Sequence, residues 1–314
     1  MSQYIIRRIV LMVPVLLGLS LAIFLIMRVI PGDAASALLA DSPTASHKDK
    51  LRTELGLNRP LYQQYAFWIS GIPRGDFGTS FWTNSPVIND IGRAAPVTAE
   101  LTLLASALAL VLSLPVGILS AVRRNTIWDY LGRSASILGL SIPHFWLGTL
   151  VLVLPAVWWH WTPPATYHPI WNAPLSNLGQ MWLPAIVIGL SAAAAMMRMV
   201  RSTMLEVLRQ DYVRTARAKG LTSRNVILGH ALKNAMIPVV TMYGTIVGTL
   251  LTGAIVTETI FNLPGFGTLT VNAIGQRDYP LIQSCVLIFG VVYVVANLLV
   301  DLSYTVLNPR IRYG

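Results

Sequence analysis

The stretch that decides the fold class is Leu101–Val122, LTLLASALALVLSLPVGILSAV, which contains no Asp, Glu, Lys or Arg. A helix needs about 20 mostly apolar residues to cross a hydrocarbon core about 30 Å thick. In lipid, backbone polar groups must pair within a helix or a closed barrel, and a long run without alternation excludes the barrel. This run therefore predicts a membrane-spanning helix.

Similar runs lie on both sides of this stretch. Together with it, the predicted spans are 9–30, 98–122, 134–159, 182–202, 236–257 and 281–304. Only 11% of the residues are charged, against about 25% in soluble domains. We therefore expect an all-α polytopic membrane protein with six transmembrane helices.

The positions of Lys and Arg predict the orientation. Segment 198–233 holds eight of them, whereas the short loops near 160–181 and 258–280 hold only Arg277. Loops rich in Lys and Arg stay in the cytoplasm. The N- and C-termini and segment 198–233 are therefore predicted to be cytoplasmic.

This topology predicts four parts. They are an N-terminal tail with the first helix, 1–30; an external loop subdomain, 31–97; a core transmembrane domain with spans 2 to 6, 98–310; and a C-terminal tail, 311–314. The external loop is rich in aromatic residues and carries turn signals such as Gly71–Gly75. A structured cap and a shallow interfacial element both fit that pattern.

The sequence lacks the signals of nucleotide binding, nucleic-acid binding and metal binding. The dipeptide Gly-Lys never occurs, so the chain has no P-loop. The net charge of +10 suggests nucleic acid, but the basic residues punctuate apolar runs and form no basic face. His160 and His168 admit a nickel site, yet aromatic neighbours favour an interfacial role, so no metal site and no catalytic residue is predicted.

The most informative cytoplasmic segment is about 206–220, which we predict to be a helix. Leu205, Leu208, Tyr212 and Ala216 have the spacing of one helical face, and Gly220 suits a left-handed cap at its end. Two interpretations fit this pattern. The helix lies on anionic lipid, or it docks in a cleft of a cytoplasmic partner.

Residues 211–221, DYVRTARAKGL, closely resemble the coupling-helix motif of binding-protein-dependent importers. In the general family this motif reads Glu-Ala-Ala, three residues, Gly, and later Ile-x-Leu-Pro. Here Arg214-Thr215-Ala216 and His230–Lys233 replace the two conserved parts. The dipeptide, oligopeptide and nickel branch shares these departures, and its version continues as in Asn234–Pro238.

Other stretches resemble the same branch in order and spacing. They are Arg28–Asp33, Leu55–Leu61, Gly75–Ser80, Ser141–Gly148, Glu258–Gly265, Arg277–Leu281 and Asn308–Tyr313. The resemblance therefore covers nearly the whole chain.

The resemblance implies a non-catalytic permease subunit of an ATP-driven (ABC) importer in the bacterial cytoplasmic (inner) membrane. Its implied partners are a second homologous permease, two ATPase subunits, an extracytoplasmic substrate-binding protein and the lipid bilayer. ATP and Mg would be bound by the ATPase subunits, with no cofactor in this chain. The implied coupling residues are Asp211, Tyr212, Arg214, Thr215, Ala216, Ala218, Lys219, Gly220 and Leu221.

Within the spans, Ser141, His144 and Thr245 are candidates for lining the translocation path. Gly244 and Gly248 form Gly-x-x-x-Gly, a pattern that favours close helix contact.

Two other classes stay open at this point. A secondary transporter should show repeated halves and buried ionisable groups, which are not evident. A structural or assembly subunit gives no reason for the 206–220 helix. The chain does not disclose its substrate, because the external binding protein largely sets that choice. From the breadth of the branch, peptide is our first choice, ahead of nickel, oligosaccharide and opine.

Overall fold

The computed structural model of the protein describes residues 2–30, 32, 34–38, 45–164 and 166–307. Its α-helices are α1 Ser2–Val29, α2 Ala34–Leu38, α3 Ala45–Glu54, α4 Leu61–Gly71, α5 Val87–Val122, α6 Ile127–Ser141, α7 His144–Trp159, α8 Pro174–Val207, α9 Asp211–Ala218, α10 Leu232–Ile260, α11 Phe266–Gln276 and α12 Tyr279–Leu307. A π-helical turn, Asn225–Ala231, leads into α10. The predicted tail 311–314 and the stretch 308–313 lie outside the described residues.

The long apolar helices confirm the predicted class. Five segments are long and apolar enough to cross a membrane: Ile6–Val29, Val87–Val122, Pro174–Val207, Asn225–Ile260 and Tyr279–Leu299. The pair α6 and α7 makes a sixth span if it is counted as one. The chain is thus an all-α polytopic protein.

The third predicted span, 134–159, is not one continuous helix. The axes of α6 and α7 differ by 93°, and the break falls at Ile142 and Pro143. Proline disfavours helical backbone in the residue before it and has no N–H to donate. Accordingly, Ile142 is extended, with φ −88° and ψ 118°.

Several helices also extend beyond the apolar runs that predicted them. The second span was predicted from 98, but α5 begins at Val87 and carries Asp90 in its first turn. The fourth was predicted from 182, but α8 begins at Pro174, in the first-turn position that proline favours. Hydropathy marks only the part of a helix that lipid can accept, so it misses polar ends.

The chain divides into two compact units. The first comprises Met1–Val97 and Pro264–Val295, and the second comprises Thr98–Leu263 and Ala296–Gly314. These units rest on packing and not on position in a membrane, so the boundaries predicted at 30, 97 and 310 stay a prediction.

In the second unit the central helix is α8, against which α6, α7 and α10 pack. Small residues allow close approach: a Cβ on Gly139 would lie 2.8 Å from the Cβ of Ala194, and one on Gly117 would lie 2.7 Å from the Cβ of Val200. Side chains at these glycines would hold the helices apart. The contact role predicted for Gly244 and Gly248 stays a prediction; in α10, Gly248 is buried and Gly244 half-buried.

In the first unit, α11, the start of α12 and the start of α5 share a core. Val87, Ile91, Phe266, Ile282 and Cys285 are buried there. Next to them the buried Ser80 hydroxyl donates to Asp278 Oδ2 over 2.5 Å. The described part of the 31–97 segment is therefore a folded element.

Candidate functional site

The candidate site is the segment between α8 and α10, where the short helix α9 connects two long apolar helices. Gln210, with φ −70° and ψ 147°, is extended and precedes α9. Asp211 lies in the first turn and Arg217 in the last, the arrangement that complements the helix dipole. After α9, Gly220 adopts φ +81°, the left-handed conformation predicted for it.

Two side chains of α9 face inward. Val213 is fully buried and Ala216 is 7% exposed, and both pack against Val226 of the π-helical turn. Val207 and Leu208, at the end of α8, pack on the same cluster. This apolar contact fixes α9 to the end of α8 and to the turn that leads into α10.

A polar contact adds to this anchor. The Asn234 side-chain amide donates to the Tyr212 hydroxyl over 2.8 Å and to the His230 carbonyl over 3.2 Å. Tyr212 is thereby bonded to the first turns of α10. A displacement of α9 would therefore pull directly on that helix.

The remaining side chains of α9 and its exit are exposed. Asp211 and Arg214 form a surface ion pair of 3.2 Å with side chains 95% and 75% exposed, and the Thr215 hydroxyl donates to the Asp211 carbonyl over 3.0 Å. The other exposed residues of this surface are Tyr212, Arg217, Ala218, Lys219, Gly220 and Leu221. We call this set, with Asp211, Arg214 and Thr215, the α9 surface.

One predicted feature of this segment is wrong. A single helix over about 206–220 is not observed, because the chain turns at Leu208–Gln210 between α8 and α9. Of the predicted stripe, Leu208 packs on the cluster that contains Ala216, whereas Tyr212 is 42% exposed. The buried partner of Ala216 is Val213, which lies off that stripe.

The structure brings together three residues that the sequence reasoning missed. Arg201 of α8 donates from Nε and Nη2 to both carboxylate oxygens of Asp129, at 2.7 and 2.9 Å. Asp129, near the start of α6, is fully buried and also accepts from the Ser120 hydroxyl over 2.6 Å. The Asn125 N–H donates to Asp129 over 3.0 Å. This network joins α5, α6 and α8, and its member Arg201 lies ten residues before the start of α9.

A second buried carboxylate was also missed. Glu258 of α10 is fully buried, and it accepts from the Thr98 hydroxyl over 2.5 Å. Both Asp129 and Glu258 lie just outside the predicted spans, so the apolar runs do not indicate that their carboxylates are buried. With 13 acidic residues in the chain, every acid bordering an apolar run is worth testing as a buried group.

A tyrosine fixes the connection between α7 and α8. The Tyr167 hydroxyl donates to Glu100 Oε2 over 2.8 Å. Burial, reinforced by this hydrogen bond, raises the pKa of Tyr167 well above its usual range. The phenol therefore stays protonated and serves as a donor.

The candidates for the translocation path are dispersed. Ser141 ends α6 and is exposed, and His144 begins α7 on the other side of the bend. Thr245 lies in α10, exposed, with its hydroxyl bonded to the Thr241 carbonyl over 3.4 Å. Their role in transport stays a prediction.

Comparison with solved structures supports the fold. The fold is similar to that of a chain of an amino acid ABC transporter crystallised with histidines, with TM-score 0.56, 12% identity and coverage of 69% of this chain and 94% of that one. The MetNI methionine ABC transporter in an inward-facing conformation gives TM-score 0.58 at 16% identity, covering 69% and 96%. At these identities the likeness establishes the fold alone.

Comparison with protein sequences covers the full length. The chain is 41% identical to the dipeptide transport system permease protein DppB of Escherichia coli K12, over 100% of this chain and 99% of that protein. It is 39% identical to a putative peptide transport system permease protein of Brucella abortus, over 100% of both. A di/tripeptide transport system permease protein of Pseudomonas aeruginosa is 38% identical, covering 100% and 99%.

Two family profiles divide the chain between them. The N-terminal profile of binding-protein-dependent transport system membrane components matches residues 1–102. The profile described as "binding-protein-dependent transport system inner membrane component" matches residues 113–313. The chain therefore belongs to the family of inner-membrane permease components of binding-protein-dependent ABC transport systems, which are not catalytic by themselves.

Proposed function

We propose that this chain is one of two membrane subunits of an ATP-driven importer for short peptides, and that α9 docks on an ATPase subunit. The proposed complex contains a second, homologous permease, two ATPase subunits and an extracytoplasmic binding protein that delivers the substrate. Both termini and α9 lie in the cytoplasm in this proposal, in accord with the basic residues of 198–233.

The observation that carries the proposal is the two-sided construction of α9. Its inner side, Val213 and Ala216, is anchored in an apolar cluster, whereas the α9 surface is exposed and polar. A helix that lay on lipid would present an apolar face outward. The exposed large apolar side chains of α9 and its exit are limited to Tyr212 and Leu221, which favours docking on a protein.

The contacts of α9 suggest how energy is transmitted. ATP and Mg are held by the ATPase subunits, and their closure displaces α9. Because Tyr212 is bonded to Asn234 and Val213 packs on Val226, this displacement passes to α10. Rocking of the helices in the two permeases then exposes the substrate path to alternate sides of the membrane.

The names of the relatives support peptide as the substrate. Those found in Escherichia coli, Brucella abortus and Pseudomonas aeruginosa are named for dipeptide, peptide and di/tripeptide transport. This places peptides ahead of nickel, oligosaccharide and opine.

The test is purification of the complex in mild detergent from its native host, followed by reconstitution in liposomes. We expect the chain to co-purify with a second permease and two ATPase subunits and to take up a radiolabelled dipeptide only when ATP and the binding protein are present. Recovery of the chain alone, with uptake driven by a proton gradient, would instead support a secondary transporter. Nickel uptake without peptide uptake would overturn the substrate assignment.

A further inference from the structure

A cavity of about 610 Å³ lies in the first unit, at the end of α1. Its walls come from the last turns of α1, from segment 54–59, from α4 and the turn after it, and from the start of α12. The side chains that matter are Arg28, Trp68 and Gln283, with the rings of Phe24 and Tyr279. None of these residues belongs to the α9 surface.

Arg28 is held in one orientation. Its guanidinium lies 4.6 Å from the ring centre of Phe24 and 4.5 Å from that of Tyr279. Nη2 and Nε donate to Gln64 Oε1 over 2.8 and 3.2 Å. Gln64 is itself fixed, since its amide donates to the Leu57 and Arg59 carbonyls over 3.1 and 2.8 Å. The guanidinium is thus preorganised.

This arginine is not neutralised within the described residues, where no carboxylate lies within ion-pair distance of it; its hydrogen-bond acceptor is the neutral Gln64. A charged guanidinium that is half removed from water ordinarily pairs with an anion. The pairing is incomplete in the isolated chain.

Three lining residues retain a buried N–H donor that no described group accepts. They are Arg28 Nη1, Trp68 Nε1 and Gln283 Nε2. Gln283 is only 3% exposed. A buried donor without an acceptor is unfavourable. Three N–H donors without an acceptor on one cavity indicate a ligand with several acceptor oxygens.

The end of the first apolar run predicts that the cavity lies at a bilayer interface. The apolar run that spans the membrane ends at Val29, next to Arg28. On α4, Tyr62 and Phe67 are 71% and 74% exposed, as expected of aromatic residues at the level of lipid headgroups. The oxyanion available at this depth is the phosphate of a phospholipid.

We propose that this cavity binds the headgroup phosphate of an anionic phospholipid, with Arg28 as the ion-pair partner and Trp68 and Gln283 as further donors. Arg59 and Arg74 line the same cavity. With Arg28, the cavity therefore has three lining arginines against two lining carboxylates. The balance of charge thus favours one bound anion. The lipid would tie α1, α4 and α12 together independently of the transported substrate.

The test is native mass spectrometry of the intact importer complex in detergent, titrated with phosphatidylglycerol. The test variants are Arg28→Gln and Trp68→Phe, the second of which keeps an aromatic ring but removes the indole N–H together with part of the ring system. The matched control is Arg93→Gln, because Arg93 is exposed in the same unit and does not line the cavity. We expect the tightest phosphatidylglycerol site to weaken about tenfold in Arg28→Gln and several-fold in Trp68→Phe, and to be unchanged in the control.

Soluble ligands distinguish the source of the phosphate. Millimolar inorganic phosphate or glycerol 3-phosphate should leave the bound phosphatidylglycerol in place. If either displaces it with the same dependence on Arg28, the cavity takes a free phosphate and the lipid assignment is wrong. If Arg28→Gln and Arg93→Gln bind phosphatidylglycerol equally tightly, with both complexes recovered intact, the cavity is not the lipid site.

Discussion

Two Asp–Arg pairs of this chain are made from the same groups and differ in what surrounds them. Asp129 and Arg201 form a bidentate pair with the aspartate fully buried, whereas Asp211 and Arg214 meet at 3.2 Å with both side chains mostly in solvent. Breaking a buried pair strands a charge in a low-dielectric interior, while an exposed pair contributes little. The first pair is therefore expected to support the fold, and the second is free to serve a partner.

The largest effect is expected at the interior pair. Asp129→Ala leaves Arg201 and the Ser120 hydroxyl without their acceptor. Because the Arg201 side chain is 23% exposed, the complex should lose about 3 kcal/mol of stability, the low end for a buried pair. Thermal unfolding of the purified complex would measure the loss. The double variant Asp129→Leu with Arg201→Met, which buries no charge, should recover most of it. A single variant as stable as the wild type would contradict the importance of the pair.

The next effect concerns the exit from α9. Gly220→Val forces a β-branched residue to φ +81°, at a cost of about 1–2 kcal/mol. No atom lies within 4 Å of the added Cβ, so the cost arises from backbone strain and not from a clash. Peptide uptake per ATP hydrolysed should fall. Gly220→Asn, which tolerates the left-handed conformation, is the matched control and should retain most of the coupling.

A smaller effect is expected where the α9 surface joins α10. Tyr212→Phe removes the acceptor of the Asn234 amide and should cost about 0.5–1 kcal/mol. Uptake should fall several-fold while ATP hydrolysis continues. If the bond carries this effect, adding Asn234→Ala to Tyr212→Phe should lower uptake no further. Additive losses would mean that the two residues act separately.

The smallest effect on stability is expected at the exposed pair. Asp211→Ala and Arg214→Ala should each change the stability of the complex by less than about 0.5 kcal/mol. The contribution of this pair to the stability of the complex should change equally little when the salt concentration is raised. A loss as large as that of Asp129→Ala would show that the two pairs do not differ as described.

The same contrast explains what the sequence could predict. Apolar runs such as Leu101–Val122 indicate directly that a helix lies in lipid, so the fold class and the approximate spans were predictable. The bend at Ile142–Pro143 was signalled by proline, but the 93° angle depends on what α6 and α7 pack against. Gly220 was predicted correctly because a left-handed residue is a local property.

Properties that depend on partners distant in sequence were missed. The pair Asp129–Arg201 joins residues 72 positions apart, and nothing near Asp129 indicates that its carboxylate is buried. Likewise, the burial of Val213 results from packing against Val226 across the turn. Hydrophobic periodicity assumed one helix over 206–220 and therefore placed Tyr212, and not Val213, on the buried face.

The most direct test of the central claim is the ratio of dipeptide uptake to ATP hydrolysis in proteoliposomes that contain the full importer with Asp211→Lys. The lysine reverses the charge at position 211 of the α9 surface while leaving Val213 and Ala216 buried. We predict an assembled complex of wild-type stability whose uptake per ATP falls at least tenfold, an effect of about 1.4 kcal/mol or more on coupling. An unchanged ratio in the assembled complex would contradict the docking of an ATPase subunit on α9.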